Sequence, residues 1–176
     1  LEEKEYYSLL IKDMLKNISR PDRDRKAAAD SLFRKCLAYA SPKNFSEDMI
    51  AYYSDKAERA YLSLGESSDA ARACLISGYA HLLGKSYTKA VKDLALMIEM
   101  LSNLPDNGLR GLAYKALGDA YFVREKYSFA RPFYRKAIVL NKRSSARINW
   151  KTYSGILHMM SLLKLKNGDI DKALEY

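Results

Sequence analysis

Apolar residues recur at three- and four-residue steps through most of the chain, the period of an α-helix with one buried face. KEYYSLLIKDMLKNI puts Tyr6, Leu9, Leu10, Met14 and Ile18 on one side of such a helix. RKAAADSLFRKCLAYA and SEDMIAYYSDKAERAYLSLG continue the pattern, and ISGYAHLLGKSYTKAVKDLALMI reads as two helices broken at a short polar turn, GKS. Similar turns, REK and KNG, interrupt two later stretches. Ser19, Ser46 and Ser68 each stand close before acidic residues, which predicts three helix starts. NWKTYSGILHMMSLLKLKN meets no breaker before Asn167 except Gly155 and predicts one long helix. With only 8 Gly and 4 Pro there are too few turn residues for an all-β protein, so the expected class is all-α.

AYKALGDAYFVREKYSFARPFYRKAI (113–138) holds Gly118 and Ala130 inside stretches that otherwise want to be helical. A glycine within a helix costs about 1 kcal/mol relative to alanine, so a close neighbour that leaves no room for a side chain is the expected reason. The pattern recurs. Residues 76–98 carry Gly78, Tyr87 and Ala90, and 160–176 carry Gly168, Ile170 and Ala173. Ala90, Ala130 and Ala173 mark a repeat of roughly 40 residues, the signature of an α-solenoid of antiparallel helix hairpins.

The stretch 111–144 resembles a tetratricopeptide repeat. Tyr114, Leu117-Gly118, Tyr121, Ala130, Tyr134 and Ala137 stand where that family places its aromatic, Leu-Gly, Tyr, Ala, aromatic and Ala positions. Two further copies are expected at 71–104 and 154–176, the first with His81 in place of Tyr and Met97 in place of the last Ala, the second truncated. Residues 1–66 then read as N-terminal helices, a degenerate repeat plus a cap, and 67–176 as the repeat region. The period exceeds the family's usual one, and longer helices are the expected cause. Because the chain ends early in its last expected helix, an uncovered apolar stripe is expected there, covered by further chain or by self-association.

Charge narrows the functional classes. Residues 1–66 hold equal numbers of basic and acidic side chains, so the whole net charge of +9 lies in 67–176, most strongly in 107–166. No stretch is long and apolar enough for a membrane helix, and a cytoplasmic location is the default expectation. Cys36 and Cys74 match no metal spacing and read as buried small hydrophobes. There is no HExxH, phosphate-binding Gly-rich loop, GxSxG or paired CxxC, and His81 and His158 lie on apolar helices. No catalytic residue, metal site or cofactor is predicted, and Met97, Met100, Met159 and Met160 read as core.

The family resemblance implies a concave groove lined by the first helix of each hairpin. On this sequence it would comprise Arg72, Leu75, Tyr79, Leu82, Lys115, Asp119, Phe122 and His158, with Arg147 and Lys151 extending the strip. Tyr79 and Asp119 fall where the subset that clamps acidic chaperone tails places Asn, which argues against that specificity. The expected function is a non-enzymatic protein–protein interaction scaffold holding an acidic-hydrophobic peptide or protein. The alternative is anionic lipid or nucleic acid bound by an outer basic face that includes Arg131, Arg135 and Lys136. Phe129 and Phe133, which could stack on bases, lie at spacings that predict burial.

Overall fold

The computed structural model describes residues 24–104, 108–143, 149–166 and 168. Among them are seven helices and no strand: α1 (Asp24–Tyr39), α2 (Glu47–Ser63), α3 (Ser67–Leu83), α4 (Tyr87–Met100), α5 (Gly108–Phe122), α6 (Tyr127–Arg143) and α7 (Asn149–Lys166). They form two compact units, one ending at Leu101 and holding α1–α4, the other starting at Ser102 and holding α5–α7. The helices read from the sequence as an N-terminal cap thus belong to the same unit as the first clear repeat copy. The expected helix at 4–18, the start at Ser19 and the turn residues Asp169, Ile170 and Ala173 lie outside the described residues.

Helices α2, α4 and α6 begin at 47, 87 and 127, a spacing of 40 residues each time. Their buried positions keep that spacing: Ile50, Ala90 and Ala130, then Ser54, Leu94 and Tyr134, then Ala57, Met97 and Ala137. Ser46 caps α2 by accepting the Met49 N–H at 3.4 Å. The start expected at Ser68 falls earlier, because Glu66 holds the position before α3 and accepts the Ala70 N–H. α7 runs unbroken through Gly155, as its pattern predicts.

The turns joining α3 to α4 and α5 to α6 have the same construction. Lys85 and Glu125 take left-handed backbone conformations, with φ of 63° and 58°. In each, the next residue's N–H returns to a carbonyl of the preceding helix, Ser86 to His81 and Lys126 to Tyr121. This six-to-one bond closes the helix end and reverses the chain. Gly65 does the same work after α2 with φ of 74°.

Close packing follows from the turns. A Cβ on Gly118 would lie 2.5 Å from the Tyr134 ring, and one on Gly78 would lie 2.8 Å from Leu94. Both pairs are centred on their turn, so the helices run antiparallel with almost no gap. In the second unit Ala130, Tyr134 and Ala137 meet Ile156, Met160 and Leu163 of α7 in one buried cluster, with Tyr114 and Tyr121 packed against it. Cys36 and Cys74 are both buried free thiols. Burial pushes Cys36 up to about 12, and burial together with the Glu58 carboxylate pushes Cys74 higher still.

Candidate functional site

Two polar constellations and one surface cleft carry the chemistry of the described residues. In the first unit His81 is buried on α3, with Nδ1 2.7 Å from the Glu47 carboxylate of α2 and Nε2 3.6 Å from Asp93 of α4. Ser77, one turn back, donates to Asp93 at 2.6 Å. The Glu47 carboxylate takes the space a side chain at Gly84 would fill. Burial pushes its pKa up, but hydrogen bonds from Ser86 and His81 and the charges of His81 and Lys89 outweigh burial and hold it low. The group ties three helices together. Its parts are 34 and 12 residues apart, so the sequence shows only a lone histidine on an apolar helix.

In the second unit Asp119 accepts from Lys115 Nζ through one oxygen and from the Tyr134 hydroxyl through the other, both at 2.7 Å. Lys115 is only 8% exposed, and its stem lies beside Gly155 of α7. These bonds fix the Tyr134 ring over Gly118.

The surface cleft lies between α5 and α6, with a volume of about 350 Å³. Arg110 and Tyr114 line it from α5, and Arg135, Lys136, Val139 and Leu140 from α6. No acidic side chain among the described residues lines it. Lys136 Nζ lies 5.3 Å from the Tyr114 ring centre, a cation–π contact that leaves its ammonium facing solvent. From Tyr114 a row of stacked rings runs along the pair: Tyr114 on Phe133 (6.4 Å), Phe133 on Tyr121 (5.4 Å) and Tyr121 on Phe129 (5.8 Å). The expectation of burial is corrected for Phe129, which ends the row 58% exposed because α6 turns this position outward.

The residues expected in a groove divide. In the first unit Leu75 and Tyr79 are buried, Leu82 is half-buried, and Arg72 bonds the Asp69 carboxylate one turn earlier. In the second, Lys115 and Asp119 satisfy each other, and Phe122 packs on Tyr127 at 5.3 Å. His158 is exposed. Arg147 and the side chain of Lys151 lie outside the described residues. Of the outer basic set, Arg135 and Lys136 converge on the cleft, and Arg131 is half-buried on the same helix. Sequence reasoning missed Arg110. Its signal was its place one turn before Tyr114, on the helix that must pair with α6.

The chain matches no protein-family model, and no curated protein matches it. No helix among the described residues is long and apolar enough to cross a membrane.

Proposed function

We propose that this chain is a non-enzymatic interaction module, an α-solenoid of antiparallel hairpins of the tetratricopeptide kind, that binds an acidic-hydrophobic segment of another protein. The contact surface is the basic cleft of the α5–α6 pair. One observation carries this reading: the exposed Arg135 and Lys136 line, together with Arg110, a cleft with no acidic side chain among its described lining. Tyr114, Val139 and Leu140 give a partner's apolar side chains a surface between the charges. Opposite charge across such a surface speeds encounter and fixes orientation, and the apolar contact slows release.

The test uses labelled peptides of mixed Glu and Leu, titrated by fluorescence anisotropy into the wild-type chain and into Arg135→Glu/Lys136→Glu. Both residues are exposed, so the variant keeps its fold. The double reversal should weaken binding by about tenfold or more and flatten its salt dependence. Arg59→Glu, an exposed charge reversal in the first unit, should leave it unchanged. Equal affinity for wild type and the double variant would sink the assignment. A second reading, single-stranded nucleic acid on the same face, is favoured by the exposed Phe129 at the end of the ring row, since bases stack on such platforms. Binding of oligouridylate in preference to the acidic peptides would support it.

A further inference from the structure

We propose that the outward face of α6 seats this chain on an anionic lipid bilayer, Phe129, Pro132 and Val139 entering the headgroup region and Arg135 and Lys136 meeting the acidic headgroups. The first support is that the fold does not ask for these apolar side chains. Ser128, Phe129, Pro132, Arg135, Lys136 and Val139 are exposed and fall within one arc of about 120° around the helix. Phe129 is 58% exposed and Val139 49%. Forty residues earlier, on α4, the positions matching Phe129, Pro132 and Val139 hold Lys89, Lys92 and Glu99, all exposed. One backbone plan thus turns charged side chains outward on α4 and apolar ones on α6. Packing within the hairpin does not account for the difference, whereas a surface that takes up apolar groups does.

The second support is charge complementarity. The α6 sequence contains Arg131, Arg135, Lys136, Lys142 and Arg143 and no acidic residue. Residues 106–143 together, with Asp106, Asp119 and Glu125 counted, hold nine basic and three acidic side chains. The sign of the region therefore does not depend on any one cation being unpaired, and Arg110 takes no part. By helical spacing Arg135 stands at one edge of the apolar arc and Lys136 within it. Long basic side chains lay their stems on apolar surface while the charged end reaches a headgroup. The third support is shape. Phe129 to Val139 spans about 15 Å along one helix. A line of apolar groups beside cations suits the plane of a bilayer interface, where apolar contact and attraction to anionic lipid add. The stripe shares Arg135, Lys136 and Val139 with the cleft, so a bilayer and a bound segment exclude each other.

The test is co-sedimentation of the full chain with vesicles of phosphatidylcholine alone and of equal parts phosphatidylcholine and phosphatidylserine, with circular dichroism checking every variant's helix content. The mixed vesicles should bind about tenfold more strongly. Phe129→Ser/Val139→Ser should weaken that binding severalfold and keep its salt dependence, because the cations remain. Arg135→Glu/Lys136→Glu should remove the preference for phosphatidylserine, and Arg59→Glu should change nothing. Equal binding to the two vesicle types would overturn the inference, as would undiminished binding by Phe129→Ser/Val139→Ser. Capture of oligouridylate or of the Glu–Leu peptides with no binding to either vesicle would overturn it too, in favour of nucleic acid or of a protein segment alone.

Discussion

The α3–α4 and α5–α6 pairs use one backbone plan for opposite electrostatic ends. Positions 81 and 93 in the first correspond, 40 residues on, to 121 and 133 in the second. In the first they are His81 and Asp93, part of a charged group closed by Glu47 and Ser77. In the second they are Tyr121 and Phe133, stacked at 5.4 Å. The first unit also pairs Lys26 with Glu66 and Arg59 with Asp55. The second places Arg110, Arg135 and Lys136 around one cleft. Ring stacking thus performs in the second pair the cross-helix work that charged groups perform in the first.

The comparison breaks most severely at Asp119. Asp119→Ala would remove the carboxylate that holds a nearly buried ammonium and the Tyr134 hydroxyl, at a cost of about 3 kcal/mol. Denaturant-dependent hydrogen exchange should register that loss in amides of α5–α7 and spare α1–α4. Next come the two close-packed glycines. Gly118→Ala must push on a ring held by its hydroxyl and should cost about 1–3 kcal/mol. Gly78→Ala meets Cγ and Cδ2 of Leu94, both at 2.8 Å, an aliphatic side chain with no polar bond to hold it in place. The gain in helix propensity of about 1 kcal/mol then offsets much of its cost. Chemical denaturation should rank the two in that order, and equal losses would refute the idea that Tyr134 is the more rigid neighbour.

The charged group of the first unit gives a pH signature. Folding lowers the Glu47 pKa from its ordinary value of 4.5. Its contribution to stability is therefore complete above that value and lost as pH falls through the lower, folded one. Thermal melts should show the wild type losing stability relative to Glu47→Gln as pH drops below 4.5. Parallel curves throughout would contradict the linkage. The smallest effect belongs to the turns. Lys85→Gly and Glu125→Gly relieve left-handed strain and should each stabilise by about 0.5–1 kcal/mol, similarly in both units. A shift at one turn only, seen by thermal melting, would show that the two turns are not equivalent.

Gly118, Ala130 and the tyrosines around them announced a helix pair in close contact, because a glycine weakens a helix unless a neighbour needs the space it leaves. The all-helical class and the cap at Ser46 were legible for similarly local reasons. The partners of His81 were not, since Glu47 reaches it from 34 residues away and no spacing rule connects them. Lys115 and Asp119 lie four residues apart and were readable as a pair. Assigning them to a groove overlooked that Asp119, once bonded to Tyr134, faces the helix interface. The run of cations on α6 disclosed a basic face. Only the pairing of α5 with α6 showed that Arg110 joins it and turns a charged surface into a cleft.

The turns at Lys85 and Glu125 also have a bearing on kinetics. Gly78 meets Leu94, and Gly118 meets Tyr134, across only sixteen residues of chain. Closing so short a loop takes tens of nanoseconds, and proteins dominated by such local contacts fold in microseconds to milliseconds. Synthesis adds about 5–20 residues per second. Each hairpin therefore has time to form on the ribosome before the next one emerges, and the order of assembly follows the order of the genetic message.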